Sequence, residues 1–343
     1  MKRVFRVSLV IALLAALGML SASRLFHHAQ AQEQTLDQQE RQIQDLSADE
    51  GRTPKIIRHR IVSPDEANRS RPGSVTVGST GSQLPAITYH NGALISTPTI
   101  YIIWYGNWNR GNGTDTPAGQ NIVRDFAKSI GGSNYFLINT SFSAGGYNIS
   151  GGVNFGGETT DAYSQTTTLT DSRVRTVVNN AITSGRLPYN ASGIYFVLTS
   201  SDVAESSGFC TQYCGWHTAS TPTAGHIRYS FVGNAARCLS ACAAQTISPN
   251  SNPGVDGMIS VMAHELEEAT TDPDPVSGWV DSTNAENGDK CAWTFGSRQF
   301  TASNGSIYNM TLSGGGATTR NYLIQRNLAS DSKCYTDWIN RYQ

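Results

Sequence analysis

Charge is scarce in this chain: Asp, Glu, Lys and Arg make up only 15% of its 343 residues, with a formal balance of −1. No dense basic stripe runs along it, which excludes a nucleic-acid partner held by phosphate contacts. GxSxG, P-loop and dinucleotide fingerprints are all missing, so a serine elbow, a phosphate cradle and a Rossmann site have no support. No internal repeat is visible. The longest apolar run, Val7 to Leu20, is short of the roughly 20 residues that span a bilayer.

That run follows Lys2, Arg3 and Arg6 and precedes the small-residue exit Ala29-Gln30-Ala31, the pattern of a secretory signal cleaved before Gln32. Failed cleavage would leave it as an N-terminal anchor; cleavage leaves no stable membrane span. Without residues 1–31 the chain holds 21 basic against 26 acidic residues, a formal charge near −5. Residues 32–84 form a polar arm or pro-segment, Gln/Glu-rich and then Pro/Gly/Ser-rich, which buries too little apolar surface to fold alone. The one basic cluster, "KIIRHR" at Lys55–Arg60, is expected in that flexible arm. Residues 85–343 are read as a single domain.

Cysteine is sparse but even in number: Cys210, Cys214, Cys238, Cys242, Cys291 and Cys334. In an oxidising compartment six cysteines imply three bridges. The simplest pairing joins neighbours, Cys210 to Cys214 and Cys238 to Cys242, and leaves Cys291 to Cys334. The rival reading gathers the two CxxxC pairs into a four-thiolate zinc site. Seven Asn-x-Ser/Thr sequons, at Asn68, Asn112, Asn139, Asn148, Asn190, Asn304 and Asn309, matter only in a eukaryotic secretory route.

After Pro85 the pattern alternates. "TPTIYIIWYG" reads as a buried strand, and "QNIVRDFAKSI" as a helix with Ile122, Val123, Phe126 and Ile130 on one stripe. "GYNISGGVNFGG" supplies edge strands, and "TDSRVRTVVNNAITSG" a second helix capped by Asp171 or Ser172 and stopped at Gly185. "GIYFVLTS" is a second buried strand, and "GHIRYSFVGN" a half-exposed one. The order predicts an α/β (α+β) domain, a mixed sheet backed by helices.

The stretch "VDGMISVMAHELEEATTDPDP", Val255 to Pro275, carries the most chemistry. On a helix, Val255, Met258, Ile259, Met262, Leu266 and Ala269 form one packing stripe, while His264, Glu268 and Ser260 fall on the opposite face. His264 and Glu265 begin an HExxH zinc motif, but Glu268 stands where the second histidine belongs. An i, i+4 pair can share one ion. Glu286 follows His264 by 22 residues, near the spacing of a third carboxylate ligand; Asp289 and Asp272 are further candidates. The expected site is zinc on His264, Glu268 and Glu286 or Asp289, with Glu265 as the general base toward its water. One histidine and two carboxylates leave the ion near neutrality, which acidifies water less and admits calcium or manganese. The plainer alternative is a helix whose charged back, Glu267 and Glu268, meets solvent.

Several motifs resemble the EXORDIUM-like, phosphate-induced family of secreted proteins: "IYIIWYGNWN", "SSDVAESSGFCTQYCGWH", "GNAARCLSAC", "GVDGMISVMAHELEEATTDP" and "AENGDKC". "YNM" at Tyr308 and "YLIQ" at Tyr322 extend the resemblance, which covers Gly92 to Asp337. It implies an extracellular protein linked in plants to growth, and carries no established activity. The long Gln-rich arm and "TDPDP" depart from the plant form, and a plant growth role does not transfer with them.

Taken together, the sequence predicts a secreted, disulfide-stapled domain of zincin-like metallopeptidase architecture. Its function is that of a zinc-dependent peptidase or amidase; the alternative is a non-catalytic extracellular or wall-associated protein with a structural metal or none. Its partner would be an extracellular peptide or a cell-wall polymer. His226 heads a strand and reads as structural; His217, after "CGW", could be an extra ligand or a substrate contact, but beside the Cys210/Cys214 pair it reads more readily as a loop histidine. Trp104, Tyr105 and Trp108 could stack on a sugar, though strand aromatics belong more often to the core.

Overall fold

Residues 57–60 and 85–341 are described by the computed structural model. The expected signal sequence and most of the polar arm lie outside the described residues. One six-stranded mixed sheet organises the chain, built from β1 (Ile57–Arg60), β2 (Thr99–Tyr105), β3 (Asn154–Asp161), β4 (Gly193–Thr199), β5 (Tyr213–Ser220) and β6 (Ile227–Val232). Across the sheet the order is β1-β5-β6-β4-β2-β3. The four strands β6, β4, β2 and β3 are parallel, and β5 and β1 add antiparallel at one edge.

Continuous apolar runs go to the centre, as parallel strands covered on both faces require. Every residue of β2 and β4 is buried. Within "GHIRYSFVGN" the strand Ile227–Val232 lies beside them and is buried except at Arg228, rather than half exposed. Strand β3 alternates and closes the far edge.

Helices α1 (Pro117–Ser129) and α2 (Asp171–Thr183) connect these parallel strands. Helix α1 starts three residues before the expected segment, which begins at Gln120, because the Thr116 side chain caps it by accepting from Gly119 N and Pro117 fits the first turn. Helix α2 is capped by Thr170, which accepts from Arg173 N at 3.2 Å, and not by Asp171 or Ser172. The expected aromatics belong to the core: Trp104 is 1% and Tyr105 0% exposed, so neither offers a sugar platform.

A four-residue helix α3 (Leu239–Cys242) precedes the long helix α4 (Pro253–Thr271), which packs against β5 and β6. Asn252 caps α4 by accepting from Val255 N. Gly215 on β5 lets it approach: a Cβ there would lie 2.6 Å from Val261 and 3.1 Å from Glu265. The packing stripe through Met262 is buried as expected. The opposite face is buried too, because the chain beyond residue 280 folds over it; Ser260 Oγ accepts from Gln325 N at 3.3 Å. Glu267 and Glu268 are therefore enclosed carboxylates, and the solvated-back alternative fails.

Within the expected flexible arm, residues 57–60 instead form β1, with Ile57 opposite His217 of β5. Pairing the free edge of β5 satisfies backbone groups that would otherwise stay open.

All six cysteines are bridged, which removes the four-thiolate alternative. Only Cys291–Cys334 follows the neighbour pairing. The CxxxC segments cross-link to each other, Cys210 to Cys238 and Cys214 to Cys242, with Cα separations of 5.8 and 5.5 Å. Cys214 lies in a strand and Cys238–Cys242 spans a helical turn, so the two segments lie alongside each other and present matched thiols across the gap. Two rungs thus fasten β5 to the segment that leads into α4. Among the described residues no helix is long and apolar enough to cross a membrane.

Candidate functional site

The site lies where α4, β5 and the 281–291 loop meet. Helix α4 contributes His264, Glu265 and Glu268, all fully buried. The loop contributes Glu286, also fully buried, and Asp289, whose side chain is 19% exposed. Five of the six residues singled out by sequence lie in this region: His264 gathers with Glu265 and Glu268, Asp289 stands 3.7 Å from His264, and Glu286 groups with Glu268 and His217.

A sixth member is His217, for which the sequence offers a ligand role but favours a loop. It sits instead on β5 at 1% exposure, one residue beyond Trp216. Alternation along the strand turns its ring toward α4. The strand was missed because "YCGWHTAS" lacks a continuous apolar run and contains a glycine; the usable signal was a histidine two residues after a glycine that permits close helix packing.

Nδ1 of His217 lies 3.2 Å from Glu265 Oε2 and 3.5 Å from Glu268 Oε2, and its Nε2 is 3.5 Å from Glu286 Oε1. Nε2 is also 3.3 Å from the Asp272 carbonyl oxygen. His264 Nε2 lies 2.8 Å from Glu268 Oε1 and 3.7 Å from Asp289 Oδ1, while the Gln325 side-chain amide rests against its Nδ1. Donor atoms of His217, Glu268 and Glu286 fall within 4.8 Å of one another, as do those of His264, Glu265 and Glu268.

The remaining candidate, Asp272, contributes no carboxylate here. It ends α4 and accepts from the backbone N–H groups of Val276, Ser277 and Gly278, ordering the "TDPDP" turn. Glu267 points elsewhere, accepting from Asn139 and Asn327 side-chain amides. Asn139 is one of the sequons, and its complete burial removes it as a glycan acceptor in the folded chain.

Supporting contacts hold the loop in register. Asp281 accepts from Thr283 N, Ala285 N and Lys290 Nζ, the last at 2.6 Å. Gly288 passes so close that a Cβ would lie 2.8 Å from Glu268 Oε1 and 2.9 Å from His264 Nδ1. Cys291, bonded to Cys334, anchors the loop's far end.

Electrostatically the cluster is under-compensated. Burial raises Glu286 well above the ordinary carboxylate range, and the charges of Glu268 and Asp272 add to it. Burial likewise lifts Glu265 to about 7, with His217 opposing. Asp289 is raised by burial and by Glu268. Burial works against charge on His217, but Glu265 and Glu268 outweigh it and push the imidazole up to about 10. Burial opposes ionisation of Glu268 as well, yet the facing histidines hold it down at about 2.

The magnitudes show why compensation is needed. Burying Met258, Ile259, Met262 and Leu266 contributes about 1.5–3 kcal/mol each. An enclosed ion costs several kcal/mol unless paired. Four acids left ionised beside neutral imidazoles would cancel the apolar gain of the helix, so protons or cations must neutralise them. Meanwhile both oxygens of Glu286, Oε1 of Glu265 and Oε2 of Glu268 have no hydrogen-bond partner. Buried polar atoms without partners are rare and call for an explanation.

Residues 87–336 match the family model described as the phosphate-induced protein 1 conserved region. EXORDIUM-like 3 of Arabidopsis thaliana is 32% identical over 71% of this chain and 80% of its own length. EXORDIUM-like 5 of the same plant is 30% identical over 71% of this chain and 75% of its own. PHOSPHATE-INDUCED 1 of Nicotiana tabacum is 26% identical over 54% of this chain and 65% of its own. No solved structure matches.

Proposed function

The chain belongs to the EXORDIUM-like, phosphate-induced family, and from that premise we propose that its buried cluster is a divalent-metal centre inside an extracellular domain. The observation that carries this reading is Glu286: a completely enclosed carboxylate with no hydrogen bond to either oxygen, 3.5 Å from an imidazole. Zinc suits the two imidazoles, and manganese or calcium the carboxylates. His217, His264, Glu268, Glu286 and Asp289 would hold it. The ion would tie together β5, α4 and the 281–291 loop, the three parts of the chain that meet there.

Enclosure favours a non-catalytic role, since His217, His264, Glu268 and Glu286 are 0–1% exposed. The metal then works as a cross-link, like the disulfides around it. Three bridges and a signal-like leader support placement outside the cell. An extracellular peptide or wall polymer would meet the outer surface of such a domain.

A second reading rests on Glu265. It follows His264 as the base does in a zincin, and its Oε1 has no hydrogen-bond partner. In a zinc-dependent peptidase or hydrolase of that architecture, Glu265 would take the proton of a metal-bound water.

Metal analysis separates these claims. Protein purified with zinc present should carry bound metal, and His264→Ala should lose most of it; metal-free wild type defeats the proposal. Glu265→Gln should leave peptidase activity unchanged, because there is none to lose, if the centre is structural; retained metal with abolished hydrolysis supports the second reading.

A further inference from the structure

We infer that the centre takes two divalent cations bridged by the Glu268 carboxylate. The inference rests on the metal reading above and adds the number of ions and the division of ligands between them.

The two oxygens of Glu268 face different imidazoles. Oε1 lies 2.8 Å from His264 Nε2, and Oε2 lies 3.5 Å from His217 Nδ1. The acids gather into two overlapping sets, and Glu265 also reaches across, with its Oε2 3.2 Å from His217 Nδ1. Glu265 completes a set with His264 and Glu268, within 4.8 Å, and Asp289 stands 3.7 Å from His264. Glu286 completes the other set with His217 and Glu268, within the same distance. Glu268 alone belongs to both. Two-metal sites use a separation of about 3.5–4 Å, which a shared carboxylate can span.

Charge leads to the same number. Glu265, Glu268, Glu286 and Asp289 carry four negative charges when ionised, and the two imidazoles are neutral as ligands. A single divalent ion leaves two charges enclosed, at a cost of several kcal/mol each. Two ions balance the set. The unpartnered oxygens are distributed accordingly: one on Glu265, one on Glu268 and both on Glu286, so neither set is complete without an ion.

The support around the rings fits separate roles. His217 faces the Asp272 carbonyl through Nε2, and His264 meets the Gln325 amide at Nδ1, so each ring is oriented by a contact outside the cluster.

The test is a count on the full chain. Protein stripped with chelator, reloaded with Mn2+ and freed of excess ion should hold two manganese per chain. At low temperature its electron paramagnetic resonance should show exchange coupling, not the six-line spectrum of an isolated ion. Glu286→Gln, which keeps the side chain's shape, should reduce the count to one and restore the six-line signal. His217→Ala should do the same if it folds. One manganese per wild-type chain, uncoupled, overturns the two-ion inference and leaves the metal reading standing. No bound manganese or zinc overturns both.

Discussion

Two enclosed carboxylates in this molecule invite comparison, Asp115 at the start of α1 and Glu286 beside α4; both are 0% exposed. Asp115 is saturated. It accepts from Ser201 N and Oγ at 2.9 and 2.6 Å, Asn234 Nδ2 at 2.9 Å and Asn112 Nδ2 at 2.8 Å. Glu286 has no donor on either oxygen. A buried acid that serves the fold is surrounded by N–H and O–H groups, which stabilise its charge directly. One that lacks them must take up a proton or a counter-ion.

If that distinction holds, the two positions should respond in opposite ways. Asp115→Ala strands donors on Ser201, Asn234 and Asn112, and should lower unfolding stability by about 3 kcal/mol with metal content intact. Denaturant titration and metal analysis on one sample check both halves.

Asp281 sharpens the contrast, because it is a saturated acid that positions the unsaturated ones. Burial opposes its charge, but Lys290, Thr283 and Ala285 outweigh that and hold the carboxyl at about 2. The folded value lies below the unfolded one, so the contribution is present above about pH 4 and is lost as pH falls from about 4 to 2. Asp281→Asn should cost about 2 kcal/mol at pH 6 and flatten the stability profile in that acidic window; an unchanged profile would remove Asp281 from its anchoring role.

A smaller effect is expected at Gly288. Alanine there puts a methyl 2.8 Å from Glu268 Oε1 and 2.9 Å from His264 Nδ1. Zinc affinity should fall about tenfold, roughly 1.4 kcal/mol, with little change in metal-free stability. Calorimetric titration reads the first and thermal unfolding the second. The smallest change belongs to Glu286→Gln without metal: stability should stay within about 1 kcal/mol of wild type, or rise, because no hydrogen bond is lost.

Much of the fold was legible because its core strands are continuous apolar runs. "TIYIIWY" and "GIYFVLT" could only be central strands, and the Met262 stripe could only be a packed face. The site was legible as far as its ligands lie on one helix and one loop with recognisable spacing. His217 was not, because its strand lacks a continuous apolar run and contains a glycine, and the site residues it meets are 48 or more positions away. The enclosure of α4 was hidden for a related reason: amphipathic spacing shows which face packs against a sheet, but not that a later polar segment will cover the other. Local spacing also misled the disulfide reading, since the CxxxC segments pair with each other across 28 residues.

The most direct measurement is thermal unfolding of chelator-stripped protein, with and without excess Zn2+, beside Glu286→Gln. Binding to the native state alone raises the midpoint, by an amount set by RT ln(1 + [L]/Kd), about 2.7 kcal/mol of stabilisation at a hundredfold excess over Kd. The account predicts a rise of several degrees in wild type and a smaller one, from the ion that remains, in Glu286→Gln. Equal midpoints for wild type with and without zinc, and no metal retained, would contradict it.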